Sequence, residues 1–307
     1  LPICMSHANM KIIEQKDFKN HPLLSRLLEL HDIPNVLHII GNLPEISIDE
    51  YGRATPRILT VVGSRKNTVY GKQVIENLIS SLRGEDVVIL SGLALGIDGL
   101  SHKAALNNTL ITIAVPGSGL DEKVLYPSSH NNLAKEIVQS GGALISELDP
   151  TTQAAPWTFP QRNRVMAALC DALLVVEAEE KSGTLITARL ALELGRDIGA
   201  VPGEIFSPSA KGTNMLIREG AYPITSKSDL FSLLHLSEKE NDEEDSQNKK
   251  QFEGNEKVIM DLLREPLDKD ALLEKSKLSF TDFLTAFSSL EIDGYLQESF
   301  GEVRRLV

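Results

Sequence analysis

From residue 58 onward the chain alternates short apolar runs with longer stretches of helical spacing. The runs fall at 58–62, 87–90, 110–115, 143–145, 172–176 and 197–201, and glycine, proline or small polar residues follow each one. Strands that are apolar throughout are buried on both faces, so this alternation predicts a mostly parallel sheet with helices on either side. Crossovers in such sheets are right-handed, and ligands gather beyond the carboxyl ends of the strands. The expected fold is an extended, Rossmann-like, doubly wound α/β sheet over residues 54–236.

The flanks have a different texture. Residues 12–50 read as short helices, with Leu23, Leu24, Leu27, Leu28 and Leu30 as an apolar patch before Ile33-Pro34 and Gly41-Asn42-Leu43-Pro44. Residues 1–53 are therefore expected to form a small helical lead-in, cut short at its start. Residues 237–251 contain no aliphatic or aromatic side chain. Such a stretch buries too little surface to offset the entropy of ordering, and it reads as a flexible acidic linker. Beyond it, residues 252–307 suggest three helices. Val258, Ile259, Leu262 and Leu263 mark the first, Leu272 and Leu273 the second, and Phe283, Leu284, Phe287 and Leu290 the third. A Ser279…Asp282 capping spacing opens the third, and a hairpin is expected around Gly301. That outline is winged-helix-like.

Composition narrows the function. The 307 residues carry a net charge of −12 and 42% hydrophobic residues, ordinary for a globular chain with a sizeable core. Residues 1–53 hold 5 basic and 7 acidic side chains, residues 54–235 hold 16 and 18, and residues 236–307 hold 10 and 18. The acid is concentrated at the C-terminal end, which argues against coating duplex DNA by bulk charge but permits a local basic groove in the middle. Residues 252–307 hold 7 basic and 12 acidic side chains, so that module is expected to contact protein rather than grip DNA alone. No apolar run is long enough for a membrane span and no signal peptide is evident. Cys4 and Cys170 form neither a disulfide framework nor a metal site. A cytoplasmic protein with no metal and no cofactor is expected.

Candidate chemistry sits at the predicted strand ends. In Phe159-Pro160-Gln161-Arg162-Asn163-Arg164, Pro160 suits the first turn of a helix, which would place two guanidinium forks and an amide beside free backbone N–H groups. Phe159 and Trp157 add flat faces, and an anion grip with an aromatic platform suits a single strand of nucleic acid. The plainer alternative is a pair of helix-capping arginines with Phe159 in the core. Gly63-Ser64-Arg65-Lys66 follows the first strand, Ser182-Gly183-Thr184 opens a helix, and Lys211-Gly212-Thr213-Asn214 adds another cation and amide. If these turns share one sheet edge, Arg65, Arg162, Arg164 and Lys211 converge. Asp98 and His102 are expected to satisfy local backbone groups.

Enzyme signatures fail on spacing. The stretch from Gly63 to Lys72 is too long for a phosphate-binding loop, and Gln73 stands where a magnesium-binding hydroxyl belongs. Gly92, Gly96 and Gly99 miss the dinucleotide fingerprint, and Ser91 lacks a nucleophile elbow.

The ordered series of motifs closely resembles the DNA-processing protein A (DprA/Smf) family. Besides the segments already given, it includes Gly96-Ile97-Asp98, Tyr126-Pro127, Ser146-Glu147, Gly195-Arg196, Val201-Pro202-Gly203 and Gly220-Ala221. The resemblance is strong over 57–235 and weak in the flanks. It implies a bacterial cytoplasmic protein that binds single-stranded DNA without catalysis and delivers it to the RecA recombinase in natural transformation and homologous recombination. It also implies a homodimer. The family's strand-binding roles carry to Arg65, Phe159, Arg162, Asn163 and Arg164. Ser128 and Pro156 stand where relatives often have lysine, and each lost phosphate contact lowers affinity. The alternative is a nucleotide-binding or nucleotide-hydrolysing enzyme of the same superfamily. Such an enzyme would show a Pro-Gly-Gly-x-Gly-Thr loop, whereas this chain has Pro116-Gly117-Ser118-Gly119-Leu120.

Overall fold

The computed structural model describes residues 10–48, 54–237, 252–263, 265–299 and 301–305. The chain divides into two compact units, residues 1–238 and 239–307. The stretch expected to be a linker lies, beyond Ser237, outside the described residues.

The first unit is built on one nine-stranded sheet. In chain order its elements are β1 (Met10–Glu14), α1 (Pro22–Ser25), β2 (Val36–Gly41), a two-stranded hairpin of β3 (Ser47–Ile48) and β4 (Ala54–Thr55), β5 (Arg57–Val62), α2 (Val69–Ser80), β6 (Val87–Ser91), α3 (Ile97–Asn107), β7 (Thr112–Ala114), α4 (Asn131–Gln139) and β8 (Ala143–Ser146). There follow α5 (Thr158–Leu169), β9 (Ala172–Val175), α6 (Gly183–Glu193), β10 (Asp197–Ala200), α7 (Lys211–Arg218), β11 (Tyr222–Pro223) and α8 (Lys227–Leu233). The strand order is β1-β2-β8-β7-β6-β5-β9-β10-β11. The seven strands from β8 to β11 run parallel, while β1 and β2 pair antiparallel at one edge.

The apolar runs form strands because both faces are covered. Along β5, Ile58 and Val62 enter one core with Met166 and Leu185, and Leu59 and Val61 enter the opposite core with Ile75 and Leu230. Alternate side chains point to opposite faces of a strand, so a strand between two helical layers has no polar side to show.

The N-terminal segment departs from the all-helical expectation. Met10–Glu14 and Val36–Gly41 are strands, and β2 pairs with β8 in the register His38↔Ser146 through Gly41↔Ala143. The helical character is confined to the four-residue α1 and flanking 3-10 turns at Gln15–Asn20 and Arg26–Glu29. Its leucines Leu23, Leu24 and Leu27 are fully buried in the core shared with α5 and α6. The segment thus closes one face of the sheet and extends its edge.

The second unit has its own core. Helices α9 (Gly254–Leu262), α10 (Lys269–Ser276) and α11 (Phe280–Ile292) pack with a three-stranded sheet of β12 (Leu267–Asp268), β13 (Leu296–Ser299) and β14 (Glu302–Arg305), in the order β12-β14-β13. Ile259, Leu272, Phe283, Phe287, Leu290 and Val303 are buried together. Ser279 caps α11 by accepting from the Asp282 N–H at 3.2 Å, as the spacing predicts. Lys269 closes the unit with an ion pair to Glu298 at 2.5 Å.

Candidate functional site

Strands β5 to β8 build outward on one side, and the chain then returns to lay β9 against the other side of β5. Strand order therefore reverses between β5 and β9, where an open sheet leaves a crevice beyond its carboxyl ends. A cleft of about 240 Å³ lies there, walled by Val62, Gly63 and Arg65 after β5, by Phe159, Arg162, Asn163 and Met166 of α5, and by Ser182–Thr184 and Thr187 of α6.

Helix α5 begins at Thr158, two residues before Pro160, so the expectation that Pro160 starts it is corrected. The Thr158 hydroxyl donates to the Gly117 carbonyl at 2.6 Å, which anchors the helix start to the loop after β7. Neither arginine then lies in the first turn, and the two diverge. Arg162 is buried: its Nη1 donates to the carbonyls of Gly92 and Val115, at 2.5 and 2.7 Å, and its Nε donates to Asn163 Oδ1 at 3.0 Å. Asp98, buried nearby, has its carboxyl raised by desolvation and held back chiefly by the Arg162 charge. Gly92 makes this seat possible, because a Cβ there would fall 1.8 Å from Arg162 Nη1. Gly96, with φ 76°, brings the start of α3 onto the turn after β5, where the Ile97 N–H donates to the Ser64 carbonyl at 3.1 Å.

Arg164 points elsewhere and does not line the cleft. It pairs with Glu147 and donates to the Asp32 carbonyl, tying α5 to the end of β8 and to the N-terminal segment. It neither caps a helix nor joins Arg65 and Arg162 at the cleft.

Arg65 is exposed, and its guanidinium lies over the Phe159 ring, 4.5 Å from the centroid. Tyr126 meets the same ring edge-on at 5.8 Å, and Gly117 packs so closely against it that a Cβ would sit 2.6 Å from Phe159 Cδ1. Phe159 is thus half-buried, and one of its faces carries Arg65. A charge held on an aromatic face is positioned at little entropic cost.

The remaining predicted residues divide between the walls and two neighbouring recesses. The Ser182 hydroxyl accepts from the Thr184 N–H at 3.1 Å, capping α6, and the Thr184 hydroxyl donates to the Gly63 carbonyl at 3.3 Å. These two side chains hold the walls together, while the first turn of α6 presents its N-terminus to the cleft. Ser64 and Lys66 line a second recess of about 240 Å³ with Arg65, Glu179 and Ser182. Lys211 and Asn214 line a third, of about 340 Å³, with Glu180, Ile205, Met215 and Arg218. Asn214 is already engaged, since its amide accepts from the Gly203 N–H at 3.3 Å and donates to the Gly203 carbonyl at 3.0 Å. Sequence reasoning missed Thr187 and Met166 as lining, although Met166 lies a helical turn beyond Arg162 and Thr187 one beyond Thr184. His102, expected to satisfy a backbone group, has a backbone hydrogen bond at Ser91 and also meets the Thr112 hydroxyl at 2.7 Å, and burial pushes its imidazole down to about 3.

Fold and site together define a doubly wound α/β protein with a cleft at the switch point of the sheet. The family described as DNA recombination-mediator protein A matches residues 11–235, and the chain belongs to that family. It is 38% identical over 211 residues to protein Smf of Escherichia coli, covering 69% of this chain and 54% of that relative. It is 39% identical over 225 residues to the DNA processing protein DprA of Streptococcus pneumoniae, covering 71% and 76%. The chain thus spans about half the length of the first of these relatives. The solved structure of the Streptococcus pneumoniae protein matches with a TM-score of 0.63 and 37% identity, over 73% of this chain and 74% of that one. That of Helicobacter pylori DNA processing protein A, solved for its single-stranded DNA binding mode, matches with a TM-score of 0.62 and 28% identity, over 75% and 97%. Among the described residues, no helix is long and apolar enough to cross a membrane.

Proposed function

We propose that this chain binds single-stranded DNA in the switch-point cleft, without catalysis, and delivers it to the RecA recombinase in homologous recombination and natural transformation. It acts in the cytoplasm as a homodimer, with the C-terminal unit a winged-helix module that contacts protein. The observation that carries the reading is Arg65, exposed on the Phe159 ring at the mouth of a cleft that also receives the N-terminus of α6. Phosphates meet Arg65 and that helix end, and bases meet the aromatic group of Phe159 and Tyr126. Buried Arg162 and Asn163 shape the floor. The single-stranded DNA binding mode of the Helicobacter pylori relative, 28% identical, supports the same ligand class here.

The test is Arg65→Ala. Loss of one phosphate contact should weaken oligonucleotide binding and reduce the slope of log affinity against log salt by roughly 0.7. Anisotropy titrations across a salt series read this directly, and a parental affinity and slope in a folded variant would refute the placement. Truncation after residue 237 should leave most of the affinity intact, because the first unit is compact and holds every cleft residue. A truncated protein with a parental melting temperature but little single-strand binding would bring the C-terminal unit into the site.

A further inference from the structure

The loop after β10 presents two large apolar side chains where a turn ordinarily has none. The Ser207 N–H donates to the Glu204 carbonyl at 3.0 Å, which makes Ile205 and Phe206 the central pair of a β-turn. Central turn positions favour glycine, proline, asparagine and aspartate for conformational reasons, and no such reason selects isoleucine and phenylalanine. Ile205 is 75% exposed and Phe206 89%, the latter the most exposed of the large hydrophobic side chains among the described residues.

The loop is also held. The Tyr70 hydroxyl donates to the Pro202 carbonyl at 2.9 Å, Asn214 clamps Gly203 through both its amide atoms, and the Ser207 and Ser209 hydroxyls meet at 2.9 Å. An aromatic ring on a clamped loop is presented to a partner at low entropic cost.

Its position indicates which partner. The switch-point cleft and the second recess share Arg65 and Ser182, and the second recess reaches Glu179, next to Glu180 of the third. The third recess contains Ile205, with Lys211 and Arg218 supplying cations against Glu180. Neither cation has an ion-pair partner among the described residues. Strand β10 lies two places from β5, about 10 Å away at ordinary strand spacing. A polyanion leaving Arg65 along this edge meets Lys66, passes the carboxylates Glu179 and Glu180, and reaches Lys211 and Arg218, where Ile205 lines the recess and Phe206 is its neighbour in the turn.

We propose that Phe206 is a second base-stacking platform, engaged by single-stranded DNA that continues from the cleft across Lys66 to Lys211 and Arg218. This rests on the cleft being the primary strand-binding site. Stacking is sequence-tolerant because every base has a π-face, so the platform adds length-dependent affinity with little sequence preference.

The experiment compares parent, Phe206→Ala, Phe206→Trp and Arg65→Ala, each with a thymidine oligonucleotide of about six residues and one of about twenty. Phe206→Ala should weaken the longer ligand about tenfold and leave the shorter unchanged, and Phe206→Trp should restore the loss. Arg65→Ala should weaken both, and its failure to do so would count against the cleft rather than against Phe206. Equal affinities of Phe206→Ala and parent for the longer oligonucleotide would overturn the proposal. So would a fall in oligomeric mass of Phe206→Ala by light scattering, which would make the loop a contact between copies of this chain.

Discussion

Gly92→Ala is expected to remove single-strand binding and to lower stability by about 3–5 kcal/mol, the range for breaking a buried charged pair. The added Cβ would lie 1.8 Å from Arg162 Nη1 and 2.6 Å from an Asp98 carboxylate oxygen. Arg162 must then leave the carbonyls of Gly92 and Val115 that hold its Nη1. Asp98 loses the cation that offsets its desolvation and stays buried beside the start of α3. Displacement of Arg162 also moves the floor of the cleft between Ala94 and Met166. Urea denaturation paired with oligonucleotide titration checks the result. Arg65→Ala should lose affinity at parental stability, whereas Gly92→Ala should lose both together. A Gly92→Ala protein that matches the parent in both would show that Arg162 is not fixed by this seat.

The sheet was legible because its strands are buried on both faces. A run such as Ile58 to Val62 has neighbours above and below, so its apolar character is continuous and local. The cleft's walls were legible for a related reason, since glycine and small polar residues after each run mark where the chain turns at the carboxyl edge. The N-terminal strands were not. Both are short: residues 36–41 become a strand by pairing with β8, more than a hundred residues on, and residues 10–14 then pair with 36–41. Periodicity within a short window carries no information about such a partner. The direction of the two α5 arginines was hidden in the same way. The acceptors that turn Arg162 inward lie 70 and 47 residues away in sequence, and the Asp32 carbonyl that takes Arg164 lies 132 away. Spacing located the cations correctly on one helix, but only the fold could say which of them faces the cleft. Phe159 is a mixed case: the residue was identified, while the Arg65 guanidinium on its ring face was not.

Arg164→Ala should destabilise the protein by about 3–5 kcal/mol at alkaline pH and by less on acidification, with single-strand affinity retained wherever the variant is folded. The side chains of Arg164 and Glu147 are 13% and 6% exposed, so removing the guanidinium strands a carboxylate away from water. Burial pushes the Glu147 carboxyl up to about 7, against the downward pull of Arg164 and with Asp32 adding to the rise. A folded value above the ordinary 4.5 means that the native state binds this proton more readily than the unfolded chain does. Its effect is therefore a loss of stability as pH rises from the unfolded value towards about 7, levelling off above. Without Arg164 the folded value rises further, so the window extends upward and the variant's deficit grows with pH beyond the point where the parent levels off. Urea midpoints at about pH 6 and about pH 8.5 should separate the two proteins more at the higher pH. Combining Arg164→Met with Glu147→Gln removes both charges and should recover most of the loss. A deficit independent of pH would remove Glu147 from the explanation. A variant of parental stability with weakened oligonucleotide binding would return Arg164 to the DNA site, where the motif alone had placed it.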